Sequence, residues 1–206
     1  MCNEYAREIE MGRVIRLMEE MKDVPPFEYE NQAIPNDIGP IPSIKIRDIG
    51  IVVRADDKKL VGRSMTWAWK GPRGNPVFNF VSEGRDFSKS DRVLIPATGF
   101  YEYTPPEKPK IKLKDRHLFT MKGEEWFWIA GIVKEDCFAM LTMEPGPDLK
   151  PYHDRQVCIL PSHDWMDWLS LTRPTAELFK PLPAGMLEMT HLRKDGVALV
   201  PHAEQG

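Results

Sequence analysis

Residues 92–103, Arg-Val-Leu-Ile-Pro-Ala-Thr-Gly-Phe-Tyr-Glu-Tyr, constrain the fold more than any other stretch of this chain. Two apolar, β-prone runs meet at Gly99, which predicts two strands. In alternating strand geometry Phe100 and Glu102 share a face, so an aromatic ring lies beside an ionisable group. Burial would raise the pKa of Glu102 and make it a candidate proton carrier, whereas a face turned to water would leave it merely solvated. The pattern alone leaves both interpretations open.

The rest of the chain predicts one helix near the start and then mostly strands. Apolar residues recur at helical spacing from Met11 to Met21, and the helix is expected to end at 23–26, Asp-Val-Pro-Pro. The expected strands include 44–53, 117–121, 126–133 and 138–143, of which the last three are predicted to form a β-meander. We expect one domain over residues 1–206, with a mobile tail from about residue 194.

Composition excludes several classes of protein. A net charge of −3 provides no bulk basic field, so any nucleic-acid site must be a local patch. Three cysteines without CxxC spacing argue against a disulfide framework or a zinc site and favour a reducing compartment, so we expect a cytoplasmic protein. No apolar run approaches the width of a bilayer, and no Walker, Rossmann or Ser-His-Asp motif indicates a cofactor or a serine nucleophile.

Three residues are candidates for a chemical role, and each also has an interpretation without function. Removal of Met1 would leave Cys2 with a thiol and a free α-amine on adjacent carbons, although a second-position cysteine is commonly incidental. Asn79 can orient a sugar or a carbonyl, and it can equally cap a turn. His153 precedes a predicted buried strand and can titrate near neutrality, as many loop histidines do without any function.

Aromatic and basic residues provide candidate DNA contacts. The alternation in 65–69 predicts that Trp67 and Trp69 lie on one face of a strand, where they form part of the core or stack on bases. The lysine-rich stretch 108–116 is predicted to be a surface loop, either simply solvated or in contact with a phosphate backbone.

Four motifs together resemble the SRAP family, the SOS response-associated peptidase-like proteins. The motifs are Met1-Cys2, Phe-Asn-Phe-Val-Ser-Glu-Gly at 78–84, Ile-Pro-Ala-Thr-Gly-Phe-Tyr-Glu-Tyr at 95–103, and His-Asp-Arg at 153–155. The resemblance implies an α+β fold with a curved, barrel-like, mainly antiparallel sheet and a few flanking helices. It also implies a monomer that binds single-stranded DNA in the DNA damage response and becomes cross-linked to the aldehyde of an abasic site, with associated lyase or autopeptidase activity.

The same resemblance assigns roles to individual residues. Cys2 would form a thiazolidine with the aldehyde, Glu102 would relay protons, His153 would protonate the sugar ring oxygen and Asn79 would hold the abasic residue. Arg155 would bind a flanking phosphate. Trp67 and Pro40 occupy positions at which the family contacts DNA.

The chain departs from the family pattern in its expected contacts with DNA. Asn3 and Glu4 replace the usual Gly-Arg after the cysteine, and Val81 replaces an arginine, for which Arg85 is the candidate substitute. Two alternatives therefore stay open: a thiol peptidase that uses Cys2, and a divergent binding module without catalysis.

Overall fold

The computed structural model of the chain describes residues 2–21, 24–34 and 38–199. Its α-helices are α1 (Met11–Glu19), α2 (Trp165–Ser170) and α3 (Thr175–Leu178). Its strands are β1 (Glu4–Arg7), β2 (Phe27–Tyr29), β3 (Ile41–Lys45), β4 (Ile49–Asp56), β5 (Lys59–Trp67), β6 (Trp69–Lys70), β7 (Pro76–Val77), β8 (Asn79–Val81), β9 (Asp91–Ala97), β10 (Gly99–Thr104), β11 (Asp115–Met121), β12 (Phe127–Lys134), β13 (Cys137–Met143), β14 (Gln156–Val157), β15 (Ile159–Leu160), β16 (Leu187–Lys194) and β17 (Val197–Ala198).

Two large sheets contain nearly all of these strands. One is antiparallel throughout, in the order β17-β16-β11-β10-β1-β3, and the other has the order β14-β13-β12-β9-β4-β5-β2 with β8 and β15 added at its side. A short parallel pairing between β5 and β13 joins Trp67 to Phe138 and closes five strands of the second sheet into a ring. The expected α+β fold with a curved, barrel-like and mainly antiparallel sheet is thereby confirmed.

The predicted pair of strands at 92–103 exists, and its two members belong to different sheets. β9 lies in the ring and β10 lies in the six-stranded sheet, so the chain changes sheets at Thr98 and Gly99. The backbone N–H of Thr98 donates to the Ala6 carbonyl oxygen at 2.8 Å, which ties the change of sheet to β1. A Cβ on Gly99 would approach the Phe119 carbonyl oxygen to 2.9 Å, so the close approach of β10 and β11 requires glycine there.

Two sequence interpretations of the sheets are wrong. Strands β11, β12 and β13 do not form a meander, because β11 pairs in the six-stranded sheet while β12 and β13 form a hairpin in the ring. Trp67 and Trp69 do not share one strand face either. Ala68 between them has a left-handed backbone (φ 87°), which ends β5, and the two indoles pack against different core clusters.

The helices cover the outside of the ring. The predicted amphipathic helix is α1, whose Met11, Val14 and Met18 are buried. At the other end of the chain, β16 continues through Lys194 and pairs with β17, so the tail boundary predicted at 194 falls inside a hairpin, and residues 200–206 lie outside the described part. None of the helices in the described part of the chain combines the length and the apolar character that a membrane span requires.

Candidate functional site

Glu102 lies on β10 with its side chain in the interior, only 3% exposed. Phe100, two residues earlier on the same face, is fully buried and stacks on Phe119 with ring centroids 5.5 Å apart. Burial raises the pKa of the Glu102 carboxyl to about 7, and the negative charge of Asp154 acts in the same direction. At neutral pH the group therefore exists in both protonation states, as a proton relay requires.

Cys2 is brought to Glu102 by strand pairing. Because Tyr5 on β1 lies opposite Phe100 on antiparallel β10, the residues that precede Tyr5 run alongside those that follow Phe100. The Cys2 thiol is buried and donates a hydrogen bond to the Glu4 carbonyl oxygen at 3.2 Å. Burial raises the pKa of this thiol well above its usual range, and the nearby Glu102 charge raises it further. The sulfur is therefore a protonated thiol at neutral pH.

Asn79 contacts the backbone of Cys2 directly. Its Nδ2 donates to the Cys2 carbonyl oxygen at 2.6 Å, so β8 positions the start of the chain. Its Oδ1 is buried and has no hydrogen-bond partner among the described residues. A buried amide oxygen without a partner is costly, and a ligand hydroxyl could satisfy it.

His153 faces Glu102 from the loop before β14, with its Nε2 4.0 Å from Glu102 Oε2. Its Nδ1 lies 2.9 Å from both the Arg155 backbone N–H and the Asp154 Oδ1, so the ring is held on its Nδ1 side and its Nε2 is directed at Glu102. Burial lowers the pKa of His153, so the neutral form dominates at pH 7. The neighbouring Tyr152 anchors the loop by packing edge-on against Phe119, with centroids 5.3 Å apart.

Arg155, predicted to hold a phosphate, is engaged within the protein. Its guanidinium makes a two-point contact with the Glu83 carboxylate at 2.8 and 2.7 Å, and it also donates to the Thr142 carbonyl oxygen at 2.8 Å. A phosphate would have to displace Glu83 to use this arginine.

The negative charge of Glu4, which stands where the family has an arginine, is compensated within the protein. Its side chain is 3% exposed and lies 2.7 Å from the Arg116 guanidinium. Ser43 Oγ and the Tyr103 hydroxyl also donate to it. Burial favours the neutral acid, but these hydrogen bonds and the Arg116 charge outweigh it and hold the pKa of Glu4 below its ordinary value. Sequence reasoning missed Arg116, because nothing in 108–116 distinguishes it from the lysines before it.

The remaining candidate DNA contacts lie in three different environments. Trp67 is fully buried and stacks on Phe138 at 6.3 Å, so its assignment as a DNA contact is corrected: no part of its ring is open to a base. Pro40 is exposed on the wall of a surface groove that also includes Glu8, Glu10 and Arg13. Arg85 is exposed, with its guanidinium 4.6 Å from the centre of the Phe80 ring.

Four of the predicted residues thus converge: Cys2, Asn79, Glu102 and His153. The arrangement contains a thiol, a carboxyl that titrates near neutrality and a neutral imidazole. Within the described ranges, no group of three or more His, Cys, Asp and Glu side chains could hold a metal ion.

Comparison with known protein families finds a family profile that matches more than half of the chain. The profile described as "SOS response associated peptidase (SRAP)" matches residues 75–196, which include Asn79, Glu102 and His153. Cys2 lies outside the matched range.

Curated relatives match over shorter stretches. "Abasic site processing protein YobE" of Bacillus subtilis (strain 168) is 34% identical over 88 residues, 39% of this chain and 40% of the relative. "Abasic site processing protein YoqW" of the same organism is 34% identical over 100 residues, 44% of each chain. The likeness therefore spans less than half the length of each of these relatives.

Solved structures share the fold over nearly the whole chain. A protein from Bacteroides thetaiotaomicron has a TM-score of 0.69 at 15% identity, covering 94% of this chain and 93% of its own. A protein from Bordetella bronchiseptica has a TM-score of 0.67 at 20% identity, covering 93% and 100%. At these identities the likeness concerns the fold alone.

Proposed function

This chain belongs to the SOS response associated peptidase family, and from that premise we propose that it captures abasic sites in single-stranded DNA by covalent reaction with Cys2 once Met1 has been removed. The names of the curated relatives, which describe abasic site processing, support this substrate. The observation that carries the proposal is the convergence of Cys2, Asn79, Glu102 and His153 at one place.

The α-amine of Cys2 reacts first. It adds to the aldehyde carbon of the ring-opened sugar to give a carbinolamine, which loses water to form an imine. The water that leaves carries the aldehyde oxygen and takes up a proton. Glu102 is suited to supply it, because a carboxyl with a pKa of about 7 is partly protonated at neutral pH.

The thiol closes the ring in the second step. The Cys2 sulfur adds to the imine carbon, the electron pair of the C=N bond moves to nitrogen, and the thiol proton is transferred to that nitrogen. The product is a five-membered thiazolidine that joins protein to DNA. Since the thiol is protonated at neutral pH, the Glu102 carboxylate is needed to accept its proton on the way to nitrogen.

His153 and Asn79 act on the sugar. The Glu102 carboxyl, 4.0 Å from Nε2, can protonate the His153 ring, and the resulting imidazolium donates that proton to the ring oxygen. The anomeric hydroxyl gives up its proton to the Glu102 carboxylate at the same time, which opens the sugar to the aldehyde. The partnerless Oδ1 of Asn79 accepts a hydrogen bond from a sugar hydroxyl, while its Nδ2 keeps Cys2 in place.

A thiol peptidase is the weaker assignment. Such enzymes attack with a thiolate of lowered pKa, usually beside a cation, whereas burial raises the pKa of Cys2 and its charged neighbour is a carboxyl.

The test is incubation with an oligonucleotide that contains one abasic site, followed by a denaturing gel and intact-mass measurement of the protein. We expect a shifted band from the wild type, which is lost in Cys2→Ala, and a protein mass that lacks Met1. Cys158→Ala is the matched control, because Cys158 is equally buried but belongs to the other core cluster.

Two results would contradict the proposal. One is a cross-link that persists in Cys2→Ala, which would place the reacting group elsewhere. The other is cleavage of peptide substrates by wild-type protein that forms no cross-link, which would favour the peptidase.

A further inference from the structure

A groove next to Cys2 carries two cations that the proposed reaction does not use. This groove, which we call the lysine groove, has a volume of about 340 Å³ and is lined by Asn3, Glu4, Lys45, Ile46, Tyr103 and Lys114. Tyr103 follows Glu102 on β10, so its side chain points to the opposite face of the strand, and the groove lies at the same end of β10 as Glu102 but on the other face of the sheet.

The charge in the lysine groove is positive. Its single carboxylate, Glu4, is already compensated by Arg116 at 2.7 Å. Lys45 and Lys114 are both exposed. Among the described residues, neither lysine has a carboxylate within 4.0 Å of its ammonium group. Two ammonium groups without partners at one groove are suited to an anion of moderate size, such as a phosphate diester.

Lys114 also lies within electrostatic reach of the reaction. Its positive charge contributes to lowering the pKa values of both Glu102 and His153. An anion held at Lys114 would therefore lie close to the carboxyl and the imidazole. The loop before Lys114 continues the basic surface, because Lys110 and Lys112 are exposed and no described carboxylate pairs with either of them.

The two arginines that the family resemblance implies as phosphate ligands are not available for that role in this chain. Position 4 is a glutamate, and Arg155 is held by Glu83 at 2.7 Å. We infer that the lysine groove binds the DNA phosphate adjacent to the abasic sugar through Lys45 and Lys114. This inference rests on the proposed function, since it supposes that the strand enters beside Cys2.

The experiment measures binding without cross-linking. The probe is a labelled single strand with a tetrahydrofuran in place of the abasic sugar, which has no aldehyde to react. We expect the double variant Lys45→Gln/Lys114→Gln to bind about tenfold more weakly at low salt, with a slope of log affinity against log salt that is smaller by about 0.7, because the two lysines contact one phosphate and each single-strand phosphate contact contributes about 0.7.

Lys122→Gln is the matched control. Lys122 is exposed and follows β11 at the end opposite to Lys114, about 25 Å away at the rise of a strand. It should bind as the wild type does. Both proteins should unfold at the wild-type temperature, because the substituted side chains are exposed.

Equal affinity and equal slope in the double variant and the control would overturn the inference. Inorganic phosphate provides a further arm: if phosphate binds the wild type more tightly than the double variant while the oligonucleotide binds both equally, the groove is a site for free phosphate and the DNA assignment fails. The wild type could also bind the strand through the two lysines and yet never cross-link to an abasic site. That result would support the groove and refute the covalent function, so failure of the inference and failure of the proposed function can be told apart.

Discussion

Glu102 holds its proton more tightly in the folded chain than in the unfolded chain. This lowers the stability of the fold at neutral pH, where the same carboxyl is available to carry protons. Its folded pKa is about 7 against an ordinary value of 4.5, so between these pH values the unfolded chain releases a proton that the folded chain retains. The stability that Glu102 contributes is complete below about pH 4.5 and is lost as pH rises to about 7. The same carboxyl is the proposed proton carrier at neutral pH.

Glu102→Gln should therefore separate stability from activity. The variant cannot ionise at this position, so its free energy of unfolding, relative to that of the wild type, should rise by about 3 kcal/mol between pH 4.5 and 8. Its rate of cross-linking at pH 7 should fall by about 100-fold. Urea unfolding at several pH values and a cross-linking time course measure the two effects.

Glu4→Gln is the control with the opposite sign. The folded pKa of Glu4 is lowered, so its stabilisation is present above the unfolded pKa and is lost as pH falls through the folded value. The Glu4→Gln variant should lose stability relative to the wild type as pH rises from below the folded pKa of Glu4 to above its ordinary value of 4.5. If the stability difference of either variant from the wild type did not change with pH, the electrostatic account of that carboxyl would be wrong.

At the scale of elements, the sequence predicted which segments are strands better than it predicted their partners. The alternation of apolar and polar residues identified strands β9 to β13, because this alternation depends only on which face of each strand is buried. It could not show that β11 joins β10 and β16 while β12 joins β9, because pairing across sheets depends on contacts distant in sequence. The end of β5 at Ala68 could not be predicted either, because an alanine does not indicate a left-handed backbone as a glycine would.

Ala68→Gly should stabilise the protein. A left-handed conformation costs an alanine about 1–2 kcal/mol, whereas the extra entropy of an unfolded glycine costs about 0.5–1 kcal/mol, so we expect a net gain of about 0.5–1 kcal/mol. Ala130→Gly, in the middle of buried β12, should instead destabilise by about 1 kcal/mol. Chemical denaturation measures both, and a loss of stability in Ala68→Gly would show that the methyl group contributes more by packing than its backbone costs.

At the scale of the whole molecule, the candidate site exists because the first residues, the ring and the six-stranded sheet meet. Motif resemblance named Cys2, Asn79, Glu102 and His153, but these residues span 152 positions, from 2 to 153, and only the pairing of β1 with β10 and of β8 with β13 brings them together. The ion pairs around the site could not be predicted from the sequence, because Arg116 is 112 residues from its partner Glu4 and Glu83 is 72 residues from its partner Arg155.

Trp67 links the barrel to the site, so its substitution tests the connection. It lies at the closure of the ring opposite Phe138, and its Nε1 donates to the Phe78 carbonyl oxygen at 2.9 Å, immediately before Asn79. Trp67→Phe removes that hydrogen bond and leaves a cavity, so we expect a loss of about 1–3 kcal/mol in the free energy of unfolding and slower cross-linking as Asn79 and Cys2 lose their fixed geometry.

Trp168→Phe is the control that separates loss of stability from loss of site geometry. Trp168 is equally buried, and its Nε1 also donates to a backbone carbonyl oxygen, that of Val93 at 3.0 Å, but the ring belongs to the other core cluster. Both variants should lose similar stability, and only Trp67→Phe should cross-link more slowly, while affinity for the tetrahydrofuran strand stays at the wild-type value in both. Weaker strand binding by Trp67→Phe at unchanged stability would instead mean that the indole reaches DNA, which its complete burial opposes.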